Sequence, residues 1–122
     1  MNFKYTINQK DGIPVISVKG SLLSMEIAEP LLMEVDNIAG NGTDIIIDMA
    51  GMDYLNSTGL SVLIKILTKM RNAGGEVIIA SVPDAINHLL IITKINSVFK
   101  VLDSISEALD FIKSARKTPA EE

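Results

Sequence analysis

The chain contains no cysteine. That excludes a thiol nucleophile, a thiolate metal site and a disulfide framework. Its single histidine, His88, removes most catalytic dyads and any histidine-clustered metal centre; alone on a helix it reads as a surface or partly packed residue. Positive charge is also scarce, because the net charge is -4, which argues against generic nucleic-acid binding. Long apolar runs are missing too. The longest stretch free of Asp, Glu, Lys, Arg and His is Tyr54 to Ile64, eleven residues, about half of the roughly 20 needed to cross a bilayer, so no direct membrane insertion is expected. The N-terminus, M-N-F-K-Y-T-I-N-Q-K, has no apolar signal core. These absences predict a cytoplasmic protein with no cofactor and no metal.

What is present is enough apolar material for a core. Hydrophobic residues make up 48% of 122, a length that fits one domain. Phe3, Tyr5 and Ile7 alternate with polar neighbours, the period of a half-buried strand. Asp11-Gly12 is a hairpin turn signal, and Ile13, Val15, Ile16 and Val18 give a second strand, ended by Gly20. Pro14 near its start is tolerable at a strand end. Ala28, Leu31, Leu32, Val35, Ile38 and Ala39 then recur at helical spacing. Pro30 places the start of that helix, since Pro fits only a first turn, and Gly40-Asn41-Gly42 stops it. Ile45-Ile46-Ile47 and Val77-Ile78-Ile79-Ala80 read as strands covered on both faces. Pro83 opens a helix with Ile86, Leu89, Leu90 and Thr93 inward. Val98 to Val101 is a last strand. Ser104 and Glu107 form a capping-box pattern before a helix that buries Ala108, Leu109, Ile112 and Ala115. Five of the six methionines, Met25, Met33, Met49, Met52 and Met70, are read as core fillers.

The predicted order is β-β-α-β-α-β-α-β-α, an α/β fold. The opening hairpin makes the central β-sheet mixed, the third strand is its centre, and about four helices pack mostly on one side.

The most informative stretch is Asp48 to Met70. An apolar strand ends, Asn56-Ser57-Thr58-Gly59 turns, and a helix from Ser57 to Asn72 begins with two hydroxyls in its first turn. Asn, Ser and Thr are ordinary N-caps, and capping alone accounts for them. The capping box is incomplete, because Gly59 stands where Glu or Gln would. Gly in a first turn also lowers helix propensity by about 1 kcal/mol and leaves room for a close approach. A hydroxyl at a helix N-terminus is equally well placed to carry a phosphate or meet a partner. Leu60, Leu63, Ile64, Leu67 and Met70 are assigned to the core, with Val62 and Ile66 nearer the edge, as part of either a wide buried face or a partner contact.

With its element order, D-M-x-x-M-x-Y-L-N-S-T-G-L resembles the STAS domain of bacterial anti-sigma factor antagonists. The frame is carried by Asp48, Met52, Tyr54, Ser57, Thr58, Gly59 and Leu60; the G-G-E-V that follows and the Pro opening the next helix are also similar. The likeness covers roughly residues 3 to 115. It implies a single STAS-like domain over 1–116, with 117–122 a disordered tail. It further implies a regulatory binding module, not an enzyme. Such a module binds an anti-sigma factor that is also a serine kinase of the histidine-kinase-like ATPase type. Phosphorylation of Ser57 switches it off, and a PP2C-type phosphatase restores it. Asn56, Ser57, Thr58, Gly59, Leu60, Ser61 and Val62 are the implied partner-binding residues. This sequence departs from the family pattern at Asn56, where Asp is usual before the serine, and at Leu23, where a G-x-L-D motif would place Asp.

Two other readings compete. A STAS subunit of a phospholipid-transport or scaffold assembly would use Ser57 and Thr58 as unmodified contacts. A phosphoreceiver with Asp48 as acceptor would need an acidic pair after its first strand, where this chain has Gln9-Lys10-Asp11-Gly12 in a turn.

Overall fold

The computed structural model describes residues 2–41 and 43–120. The elements follow in the order β1 (Lys4–Lys10), β2 (Ile13–Leu22), α1 (Met25–Ala39), β3 (Ile45–Leu55), α2 (Ser57–Asn72), β4 (Val77–Ala80), α3 (Asp84–Ile92), a 3-10 turn (Ile95–Ser97), β5 (Lys100–Leu102) and α4 (Ile105–Ala120). One mixed sheet has strand order β1-β2-β3-β4-β5, so β3 is central, as the sequence predicts. Asp11 and Gly12 both take positive φ, 55° and 79°. This is the two-residue turn whose twist suits an antiparallel hairpin, and β1 pairs antiparallel with β2, Lys10 opposite Ile13. The remaining pairs are parallel, each connected by one helix.

Period two sorts the strands onto two cores. Ile16, Val18, Ile45, Ile47, Val77 and Ile79 face α1, α2 and α3, while Ile13, Val15, Ile46, Ile78 and Ala80 face Ala108 and Ile112 of α4. Three helices therefore lie on one side and one on the other. Burying each such Val or Ile contributes about 1.5–3 kcal/mol.

Several boundaries differ from expectation for tertiary reasons. β2 does not end at Gly20. Gly20 has φ +90°, and a Cβ there would overlap the carbonyl of Asn2; the strand shifts register and runs on to Leu22. β3 is much longer than Ile45–Ile47 because β2 continues alongside it, pairing Gly20 with Met52 and Leu22 with Leu55. Met49, Met52 and Leu55 point inward at a spacing of three, which hid the strand from a period-two reading. Pro30 is not in a first turn. Ser24 is the N-cap, its Oγ accepting from Ile27 N–H at 3.2 Å, so Pro30 lies in the second turn with its ring exposed. The missing N–H removes one intrahelical hydrogen bond, and the buried stripe Ala28-Leu31-Leu32-Val35-Ala39 outweighs that cost. Gly40 caps α1 in an ordinary right-handed conformation; Gly42, the other expected stop, is outside the described residues.

At the far edge, Val98 is 40% exposed and Phe99 is buried just before β5 rather than inside it. Thr93 is exposed, because α3 ends there and Lys94 turns the chain with φ 62°. Ser104 caps α4, accepting from Glu107 N–H at 3.1 Å, while Glu107 accepts from Asp103 N–H at 3.3 Å. Ala115 is exposed, the sheet having ended beneath it. α4 continues to Ala120, so 117–120 of the expected tail are helical, and Glu121 and Glu122 fall outside the described residues. Among the methionines, Met33 is 63% exposed, while Met49, Met52 and Met70 fill the core.

Tyr5 ties β1 to α1, its hydroxyl donating to Glu34 Oε2 at 2.6 Å. That hydrogen bond first, then burial and the Glu34 charge, raise the Tyr5 hydroxyl above its ordinary value. A raised folded-state value means the contribution is full below pH about 10 and is lost as pH climbs through the folded value. Wild type is therefore expected to melt above Tyr5→Phe at pH 8, and this margin shrinks as the scan is repeated at increasingly alkaline pH. A margin constant with pH overturns the assignment.

Candidate functional site

β3 delivers the chain to the site. Leu55, 1% exposed, anchors its end in the core, and Asn56 then turns extended with φ -105°. Its Oδ1 accepts from Gly59 N–H at 2.9 Å, the capping bond of α2, and its Nδ2 donates to the Leu23 carbonyl at 3.2 Å. Ser57 is the first helical residue and is exposed. Ser61, one turn on, is exposed and donates to the Ser57 carbonyl at 3.1 Å.

The first turn of α2 carries no acidic residue, and its last turn holds Lys69 and Arg71, both complementary to the helix dipole. Ser57 and Thr58 occupy positions whose N–H groups have no partner within the helix. The mouth of α2 is thus uncharged, donor-rich and accessible at one hydroxyl. This arrangement suits a phosphate better than it suits acid–base chemistry.

Not every expected contact residue is available. Val62 is 0% exposed and belongs to the core, as does Ile66 at 1%, whereas Ile64, expected inside, is 39% exposed. Gly59 is buried and Leu60 is 7% exposed. The cause is the rotation of α2. A Cβ on Gly59 would stand 2.5 Å from the Leu22 carbonyl oxygen and 2.8 Å from Leu55 Cβ, so the helix rests on that carbonyl and turns Val62 inward. The close approach that Gly59 permits comes from the chain's own β2. Accessible residues are then Ser57, Ser61, Ile64 and Thr68 along one stripe, with Thr58 and Asn56 half-buried.

Sequence reasoning missed the apolar rim. Leu23 is 43% exposed beside Asn56, Ile27 is 46% exposed in the first turn of α1, and Tyr54 is 56% exposed just before the site. Ile27 and Tyr54 fall out of phase with the buried pattern of α1 and β3, and Leu23 lies in the connector between β2 and α1, where no period applies. Tyr54 also lines a groove of about 210 Å³ with Ala85, His88, Leu89 and Ile92. Asp48 sits in the middle of β3, accepting from Ser17 Oγ and Ala50 N–H, both at 3.1 Å. A receiver's acceptor belongs at a strand end, so this placement disfavours that reading. No helix among the described residues is long and apolar enough to cross a membrane.

Comparison with known proteins is consistent with this geometry. A family model described as the STAS domain matches residues 4–108. BtrV of Bordetella bronchiseptica, provisionally described as an anti-sigma factor antagonist, is 26% identical over 113 residues, covering 92% of this chain and 97% of its own. Two solved structures share the fold. An anti-sigma factor antagonist from Mycobacterium paratuberculosis superposes with TM-score 0.77 at 20% identity, over 92% of this chain and 95% of its own. The anti-sigma factor antagonist SpoIIAA in its unphosphorylated form superposes with TM-score 0.69 at 15% identity, over 90% and 98%.

Proposed function

The chain belongs to the STAS domain family, and from that premise we propose that it is an anti-sigma factor antagonist, switched by phosphorylation of Ser57. The observation that carries the reading is exposed Ser57 at the uncharged first turn of α2, with exposed Leu23 beside its Asn56 cap and exposed Ile64 two turns along the same helix. Unmodified, this face offers hydroxyls and aliphatic surface to an anti-sigma factor. A serine kinase of the histidine-kinase-like ATPase type transfers the γ-phosphoryl of ATP to Ser57 Oγ, releasing ADP and the hydroxyl proton. The phosphoester adds about -1.5 to -2 charge. The N–H groups of Ser57 and Thr58 hold it without disturbing the fold, but no basic side chain lies in the first turn, so its charge faces the partner. A PP2C-type phosphatase hydrolyses the ester and restores binding. Such a cycle asks no catalytic group of this chain.

The test is phosphate transfer from labelled ATP by a serine kinase of the histidine-kinase-like ATPase type from the same host. Wild type is expected to take up one phosphate and Ser57→Ala none. Equal labelling of Ser57→Ala would remove Ser57 as acceptor. In a transport or scaffold subunit, neither protein is labelled and the wild type carries no phosphate when isolated from its host.

A further inference from the structure

We propose that Asn56 is a two-ended clamp holding Leu23 against the mouth of α2, and that this clamp positions the apolar rim a partner meets. The inference rests on the reading of that face as a docking surface, and its structural half stands apart from any phosphorylation. Asn56 uses both ends of its amide. Oδ1 receives Gly59 N–H at 2.9 Å and Nδ2 reaches the Leu23 carbonyl at 3.2 Å, across 33 positions of sequence. A Ser, Thr, Asp or Asn cap supplies the first bond. Only a side chain that also donates supplies the second, and a carboxylate there would face a carbonyl oxygen with no proton to share.

The connector between β2 and α1 is committed at three consecutive residues. Leu22 is 3% exposed, and its carbonyl is the atom a Cβ on Gly59 would strike. The Leu23 carbonyl takes the Asn56 amide, and Ser24 Oγ caps α1. What is left facing outward is the Leu23 side chain, 43% exposed, with Ile27 one turn behind it. The two departures from the family pattern thus meet in space. Where the pattern has two carboxylates, this chain has an amide at 56 bonded to the backbone of an apolar residue at 23.

Asn56→Asp keeps an oxygen for Gly59 N–H and has no proton for the Leu23 carbonyl, while Asn56→Ser keeps the oxygen but, with one polar atom on a shorter side chain, does not span to Leu23 as the amide Nδ2 does. Both are expected to melt only a few degrees below wild type, the cost of one net hydrogen bond, because all three remain good N-caps. Amide exchange over Leu23–Ile27 is expected to accelerate about fivefold in each, the scale of one net hydrogen bond. Affinity for the host's anti-sigma factor of the serine-kinase type should fall by about the same factor in each. Unchanged exchange over this segment overturns the clamp. A weakened Asn56→Asp beside an unaltered Asn56→Ser overturns it as well, by showing that charge rather than the lost donor matters. If wild type neither accepts phosphate nor binds the anti-sigma factor, the switch reading falls, while the exchange rates alone decide whether Asn56 holds Leu23.

Discussion

Ser57→Glu is expected to weaken binding to the anti-sigma factor by at least about a hundredfold, while Ser57→Ala binds within a few-fold of wild type. The asymmetry follows from where the hydroxyl sits. Ser57 opens α2 on an exposed, uncharged surface whose neighbours are Ser61 and the aliphatic Ile64, with Leu23 beside the Asn56 cap. Removing the hydroxyl deletes one exposed polar group, a change of a few tenths of a kcal/mol. Adding a carboxylate puts a charge where a partner closes over apolar surface, and an uncompensated charge made to leave water costs about 3–5 kcal/mol, a factor of hundreds or more in affinity. The folded chain tolerates the same charge, since an acidic side chain in a first turn is favoured by the helix dipole by about 0.3–1 kcal/mol. Titration calorimetry of both variants, with melting curves alongside, checks the pair. A Ser57→Glu protein that binds like wild type at unchanged stability would show that this face is not where the partner sits.

Gly59→Ala should lower stability by about 2–3 kcal/mol, even though Ala is the better helix former by about 1 kcal/mol. The added methyl would stand 2.5 Å from the Leu22 carbonyl oxygen and 2.8 Å from Leu55 Cβ. Neither atom is the free end of a flexible side chain, so α2 must lift or β2 must move, which is the overpacking penalty of a dense core. At this chain length the loss corresponds to roughly 8–12 °C in melting temperature. Gly40→Ala is the control. Gly40 has φ -60°, and a Cβ there meets only backbone oxygens at 3.5 and 3.8 Å, so its melting temperature should stay level or rise slightly. Thermal melts of the two variants decide it, and a Gly59→Ala protein as stable as wild type would remove the close approach as the cause of α2's rotation.

That rotation separates what was legible in the sequence from what was not. The span of α2, its Asn56 cap and its N-terminal serine were readable, because a cap, a breaker and a 3.6-residue period are interactions within about four residues. The same holds for the Asp11-Gly12 hairpin, the β4 run and the Ser104–Glu107 cap. The face of α2 that would be buried was not readable. Two stripes share Leu60, Leu63, Leu67 and Met70, one completed by Ile64 and the other by Val62 and Ile66, and periodicity cannot choose between them. Asn56 presented itself as a missing charge, and nothing local said that its amide would find Leu23.

Sequence alone therefore determined the order of elements, the ends of most helices and the position of the Ser57 hydroxyl at the start of α2. The tertiary structure decided the length of β3, the tolerated place of Pro30 and the side of α2 left exposed. The physical reason is that strand pairing, a carbonyl pressed against a glycine and an amide spanning 33 positions are contacts between segments. Their partners come close only once the sheet has formed.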